Sequence, residues 1–165
     1  MRFLVFSDSH GAYRLMADMT ARNIGHADGI LFLGDGCRDL FRLKTCYPQF
    51  AYIAVAGNCD SFVDFGGQSV EPQEILTVEG HRILLVHGHR QFCKFSDRGL
   101  LDAAAELHCD VVLHGHTHAP RCDRETLPDG NTVLLCNPGS VHDTESCGVL
   151  ELEGDRVTFH TASLA

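Results

Sequence analysis

Seven side chains able to hold a metal ion stand just after short apolar runs in this 165-residue chain: Asp8, His10, Asp35, Asn58, His87, His116 and His118. The densest group is His114-Gly115-His116-Thr117-His118, three imidazoles within five residues behind Asp110-Val111-Val112-Leu113. Imidazole suits zinc, iron, nickel and other transition metals, and a glycine lets the backbone turn sharply. A polar loop of unrelated histidines would explain those five residues on their own. The upstream company decides otherwise. Asp8 and His10 follow Phe3-Leu4-Val5-Phe6, Asp35 follows Ile30-Leu31-Phe32-Leu33, Asn58 follows Ala51-Tyr52-Ile53-Ala54-Val55, and His87 follows Arg82-Ile83-Leu84-Leu85-Val86. In open α/β sheets ligands bind outside the carboxyl ends of the strands. Two carboxylates, an amide oxygen and four imidazoles are enough for two metal ions sharing a ligand. Asp8-x-His10 and His116-x-His118 would each put two ligands on one side of an extended segment, since side chains alternate with period two.

The elements that must position these residues follow from the same pattern. Continuous apolar runs are the mark of strands covered on both faces. Ala12, Leu15, Met16 and Met19 recur at helical spacing up to a stop near Gly25, and a second helix is expected over Leu40 to Cys46, ending before Pro48. Strand, helix, strand, helix, strand is the α/β signature. Residues 61–74, with Gly66-Gly67 and Pro72, read as a surface loop. Ile75–Val78 and Arg82–Val86 around Glu79-Gly80-His81 read as a hairpin. Ser96 or Asp97 can cap a helix carrying Leu100, Leu101, Ala104 and Leu107. The tail reads as three strands, Val133–Cys136, Val149–Leu152 and Val157–Phe159, with turns at Pro128-Asp129-Gly130 and Glu153-Gly154-Asp155. With no repeat, low-complexity tract or linker, the expectation is one domain over residues 1–165, with two packed sheets and outer helices.

Composition narrows the function classes. A hydrophobic content of 44% and a charged content of 21% are ordinary for a globular chain. A formal charge of -9 argues against a nucleic-acid backbone binder, which needs a basic face. A small phosphorylated substrate stays open, because a bound cation reverses the sign locally. The eight cysteines form no C-x-x-C pair and the chain opens on a strand, so they are expected to be mostly reduced, buried small residues in a cytoplasmic protein. No apolar run approaches the roughly 20 residues of a membrane span. Eleven histidines are many for this length.

Asp8-x-His10, Gly34-Asp35 with Asp39, Gly57-Asn58-x-Asp60, His87-Gly88 and Gly115-His116-x-His118, in that order, resemble the calcineurin-like metallophosphoesterase superfamily. The small size, Cys59 within Gly-Asn-Cys-Asp and Asn137-Pro138-Gly139-Ser140 are similar to its small bacterial and archaeal phosphodiesterase branch. The resemblance covers residues 8 to 140 and implies a four-layer α-β-β-α sandwich of two mixed sheets. It implies two divalent transition-metal ions, manganese or else nickel, cobalt, iron or zinc. Asp8, His10, Asp35 and His118 would hold one ion, and Asp35, Asn58, His87 and His116 the other, with Asp35 bridging. The implied activity is hydrolysis of phosphoesters, diesters above monoesters, by a metal-bridging hydroxide attacking phosphorus in line. Asp35 and Asn58 would be catalytic, Asn58 adding a donor to the developing negative charge. Asp39, Asp60 and His114 would support the ligands from behind.

One departure from the family pattern lies at Cys59, where many members resemble Gly-Asn-His-Asp or Gly-Asn-His-Glu and the histidine is thought to protonate the leaving oxygen. A thiol, with a reference pKa of about 8.5, can donate a proton; filling space beside the site is the alternative. The family gives Asp60 the task of orienting that histidine, so Asp60 is left here without its usual partner. His89 and His142 are candidates for substrate contact, like Cys59, while His26, His81, His108 and His160 read as surface residues. The expected partner is a small phosphoester, with no membrane or nucleic acid and a homo-oligomer allowed. The competing readings are a non-catalytic metal-binding scaffold, as in the retromer subunit, and a nuclease or protein phosphatase of the same superfamily. Filled ligand positions favour the enzyme.

Overall fold

The apolar runs form strands that are buried on both faces, and successive residues point into different layers. The computed structural model describes residues 1–60 and 69–163; the Gly66-Gly67 part of the expected 61–74 loop lies outside them. The elements run β1 (Arg2–Phe6), α1 (Tyr13–Arg22), β2 (Gly29–Phe32), α2 (Cys37–Cys46), β3 (Ala51–Ala54), β4 (Gln73–Val78), β5 (His81–Val86) and α3 (Arg98–Glu106). Then follow β6 (Val111–Leu113), β7 (Arg121–Thr126), β8 (Thr132–Asn137), β9 (Ser146–Glu153) and β10 (Arg156–Ser163). One sheet has the order β10-β9-β1-β2-β3 and the other β4-β5-β6-β8-β7. In the first, β1, β2 and β3 are parallel; in the second, β5, β6 and β8 are parallel. The outer partners β9, β10, β4 and β7 pair antiparallel, so both sheets are mixed.

Alternation explains the layers. Phe3, Val5, Leu31 and Leu33 from the first sheet meet Ile83, Leu85, Val111 and Leu113 from the second in the central core. Their chain neighbours Leu4, Phe6, Ile30 and Phe32 face the other way, against Met16 of α1 and Leu40 and Leu43 of α2. Leu84, Val86, Val112 and Leu135 do the same toward Leu100 and Ala104 of α3. The result is the expected α-β-β-α sandwich. Burying one leucine or phenylalanine side chain in such a layer stabilises by about 1.5–3 kcal/mol. Five of the eight cysteines (Cys37, Cys93, Cys109, Cys136 and Cys147) are buried; Cys46, Cys59 and Cys122 are exposed. No helix among the described residues is long and apolar enough to cross a membrane.

Several local expectations need correction. α2 begins at Cys37, a turn before Leu40, because the carboxylate of Asp60 accepts the amides of Gly36 and Cys37 at 3.0 and 2.9 Å and caps it from another loop. β7 was not expected: Arg-Cys-Asp-Arg-Glu-Thr lacks an apolar face, but an edge strand needs none, and its residues are largely exposed. Gln73 and Glu74 open β4 and are not loop. Asp97 stands at the start of α3 without a side-chain cap; Arg121 holds it instead, Nη1 donating to both carboxylate oxygens at 2.8 and 2.9 Å. Ser96 Oγ takes the Arg98 amide at 3.1 Å. His81 is not a free surface residue. One ring nitrogen meets Asp110 at 2.5 Å and the other the Gly154 carbonyl at 3.0 Å, tying the β4–β5 turn to the β9–β10 turn.

Candidate metal centre

Both sets of parallel strands end on the same rim, and the candidate ligands follow those ends. Asp8 and His10 leave β1, Asp35 leaves β2, His87 leaves β5, and His116 and His118 leave β6. The local backbone is not extended there, contrary to the period-two expectation. Asp8, His10, Asp35, His116 and His118 have φ of 52°, 40°, 58°, 64° and 59°. Left-handed backbone is costly for residues with a Cβ and gathers at functional sites. The paired ligands therefore converge through tight turns, each pinned from a neighbouring strand end. The Asp8 amide donates to the Gly34 carbonyl at 2.9 Å and the His10 amide to the Asp35 carbonyl at 3.3 Å. Ser140 Oγ donates to the Asp8 carbonyl at 2.9 Å.

The side chains form two groups able to hold an ion, Asp8–His10–His118 and Asp35–His87–His116, and a third, His10–Asp35–Cys59, overlaps both. Asp8 Oδ1 lies 3.1 Å from His118 Nε2 and 3.9 Å from both His10 Nε2 and His87 Nε2. Asp35 Oδ2 lies 3.4 Å from His87 Nε2 and 3.9 Å from His10 Nε2. His116 and His118 thus join different groups. Asn58 is exposed, and its Nδ2 donates to Cys59 Sγ at 3.4 Å; it makes no hydrogen bond to the cluster among the described residues.

Tautomers test whether a cation fits. A carbonyl only accepts, so His87 Nδ1, 2.7 Å from the Leu33 carbonyl, carries the proton and leaves Nε2 with a lone pair. His118 Nδ1 stands 2.5 Å from Asp143 Oδ2, which fixes the same tautomer. Its Nε2 lone pair then faces Asp8 Oδ1. Asp8 Oδ1 and His87 Nε2 are buried and have no hydrogen-bond partner among the described residues. Lone pairs aimed at one another in a buried place call for a cation between them, and the donor set suits a transition metal. The residues fit.

Electrostatics agree. Burial pushes the Asp35 carboxyl up, but the adjacent His87 imidazole and the hydrogen bond from the Cys59 amide outweigh it and hold it far below the usual carboxylate range. Burial lowers His87, yet the neighbouring carboxylates Asp35 and Asp8 win and raise it: the site attracts positive charge. His116 is pushed down to about 4 by burial and then by His87 and Lys94, which keeps its lone pair free.

The supporting residues have definite partners. Asp60 accepts four backbone amides: Asp35 and Gly57 on Oδ2 at 2.6 and 3.0 Å, Gly36 and Cys37 on Oδ1. Asp39 Oδ2 accepts Ser9 Oγ at 2.6 Å and the Gly11 amide at 2.9 Å. Asn137 donates to the Gly115 carbonyl and Thr117 Oγ1, both at 3.0 Å, bracing the histidine loop. His114 is buried and, among the described residues, hydrogen-bonds the Gly115 carbonyl and Asn137 and no candidate ligand side chain; burial drives it down to about 4. The His89 ring centre lies 5.4 Å from His87 and 6.1 Å from His116, and that of His142 lies 6.3 Å from His10, so both flank the cluster. Sequence reasoning missed Asp143, which joins His118 to His142, the latter at 2.7 Å. Its one signal was a carboxylate three residues beyond Ser140.

A two-sheet sandwich with a histidine–carboxylate cluster on the rim of its parallel strands is the build of a metal-dependent phosphoesterase. The sequence model of the calcineurin-like phosphoesterase superfamily domain matches residues 1–155, and the chain belongs to that family. Among solved structures, a predicted phosphoesterase from Streptococcus pneumoniae is similar with a TM-score of 0.78 and 22% identity, over 99% of this chain and 89% of that one. An archaeal phosphodiesterase matches at 0.71 and 20%, over 98% and 100%. Zinc-complexed Vps29 from Entamoeba histolytica matches at 0.69 and 18%, over 100% of both chains. No curated protein matches the sequence significantly.

Proposed function

We propose that the protein hydrolyses phosphoesters, diesters in preference to monoesters, with two divalent transition-metal ions held between Asp8, His10, His118 and Asp35, His87, His116. The observation that carries this reading is the pair of buried, unpartnered atoms Asp8 Oδ1 and His87 Nε2, facing a cluster of lone pairs. Bound there, divalent ions supply Lewis acidity toward the phosphoryl oxygens and activate water. The chain's residues do the rest. Asp35, ionised and in contact with both histidine groups, spans the two positions. Leu33 and Asp143 hold His87 and His118 in the ligating tautomer. Asn58, exposed beside Cys59, would donate to a phosphoryl oxygen. Resemblance to a phosphodiesterase and a thiol at Cys59 in place of an imidazole support diesters over monoesters.

The test is metal content followed by turnover of bis(p-nitrophenyl) phosphate with and without added manganese. About two ions per chain and metal-dependent turnover are expected. Clearly less than one ion in a metal-replete sample, or turnover indifferent to metal, would sink the proposal. The likeness to Vps29 favours a second reading, a metal-holding scaffold; it predicts bound metal without turnover.

A further inference from the structure

A groove of about 380 Å³ adjoins the ligand cluster, lined by His10 and Asp35 together with Arg38, Cys59, Asp39 and Asp60. That is the size range of small-molecule sites. Its charged groups beyond the cluster are two carboxylates and one guanidinium. Both carboxylates are engaged: Asp60 by four backbone amides, Asp39 by Ser9 and Gly11. The start of α2 offers no vacant anion site either, because Asp60 already takes its amides. Arg38, on the first turn of α2, is exposed and makes no hydrogen bond or ion pair among the described residues. The groove thus presents one uncommitted charge, and it is positive.

We infer that Arg38 forms an anion subsite beside the metal cluster, so that the preferred phosphoester carries a second anionic group, phosphate or carboxylate, along this groove. The inference rests on the proposed function for the identity of the first group. A guanidinium fork matches either anion through paired N–H donors, which an ammonium cannot do. The engaged carboxylates repel such a group less than free ones would, since each already has donors turned toward it. Specificity then lies in the non-reacting arm of the substrate, which a simple nitrophenyl diester does not probe.

The experiment is calorimetric binding of three non-hydrolysable probes to the manganese-loaded protein, wild type against Arg38→Ala and Arg38→Lys. Phenylphosphonate carries one anionic group, methylenediphosphonate adds a second phosphonate, and phosphonoacetate adds a carboxylate. Arg38→Ala should weaken at least one bis-anionic probe about tenfold more than phenylphosphonate, about 1.4 kcal/mol, with partial recovery in Arg38→Lys. The probe showing the larger differential names the second group. Equal weakening of all three probes, or none, overturns the subsite. Turnover is read separately on bis(p-nitrophenyl) phosphate, so a failed phosphoesterase reading with an intact Arg38 differential remains distinguishable from a failed subsite. Circular dichroism confirms that the exposed substitution leaves the fold intact.

Discussion

Asparagine should be a poor substitute for Asp60 and a good one for Asp39. All four partners of Asp60 are donors, two on each oxygen. Whichever way an amide is placed in Asp60→Asn, one oxygen becomes an NH₂ and confronts two backbone N–H groups. Two amides lose their acceptor, at about 1–3 kcal/mol each where buried, so a total of about 2–6 kcal/mol is expected. With a urea slope of about 2 kcal/mol per molar, the middle of the usual range, the midpoint should fall by about 1–3 M. Asp39 differs because both its donors use Oδ2. In Asp39→Asn the NH₂ can take the Oδ1 side, so the cost should stay within about 1 kcal/mol, the loss of charge assistance. Equal midpoint shifts for the two variants would refute the reasoning. The acid limb gives a second check. Burial raises the Asp60 carboxyl, but the amides of Cys37, Gly57 and Gly36 outweigh it and depress it. A depressed carboxylate contributes stability above its unfolded pKa and loses it as pH falls through the folded value. Asp60→Asn should flatten that part of the acid limb.

Three further outcomes follow from the site and its surroundings. Asp35→Asn should lose more metal and more turnover than Asp8→Asn, because Asp35 belongs to two of the three ligand groups and Asp8 to one; equal loss by metal analysis and rate would show that Asp35 does not bridge. The bond to Asp110 raises His81 despite its partial burial, so its contribution is present below the unfolded pKa and fades as pH rises through the folded one; Asp110→Asn should destabilise more at pH 5.5 than at pH 9 (both about, relative to a reference histidine pKa of about 6.5), measured by urea midpoints. Burial first and then Asp35 raise the Cys59 thiol. If that thiol is the general acid, Cys59→Ala should steepen the dependence of rate on leaving-group pKa, whereas an equally steep series in both proteins leaves Cys59 as packing.

The layers were legible because strands buried on both faces leave unbroken apolar runs, as in Phe3–Phe6 and Ile83–Val86. The candidate ligands were legible because each stands one to five residues past such a run. β7 was not, since an edge strand of Arg, Cys, Asp, Arg, Glu and Thr carries no burial signal. Asp143 was not either, since its partner His118 lies 25 residues away and nothing local marks the pair. The convergence of Asp8 with His10 was expected for the wrong reason. Alternation along an extended segment predicts the same pairing that two left-handed residues produce, and only the backbone angles separate the two.

Those angles also explain why the supporting carboxylates sit where they do. A left-handed residue with a Cβ costs on the order of 1–2 kcal/mol, and five candidate ligands adopt that backbone. None is held by its own strand alone. Asp60, past β3, takes the amide of Asp35 past β2; Asp35 in turn takes the Cys59 amide at 2.7 Å. Asp8, past β1, takes the His116 amide past β6 at 3.1 Å on Oδ2, the oxygen that also accepts Ser7 Oγ. Oδ1 of Asp8 is left over, aimed at His118 and His87. The hydrogen bonds therefore interlock the strand ends in pairs while holding one carboxylate oxygen and the imidazole lone pairs for a cation. An ion bound only by the folded state stabilises it by mass action. Under the proposed function, metal removal should thus loosen the rim and leave the three apolar layers beneath it standing.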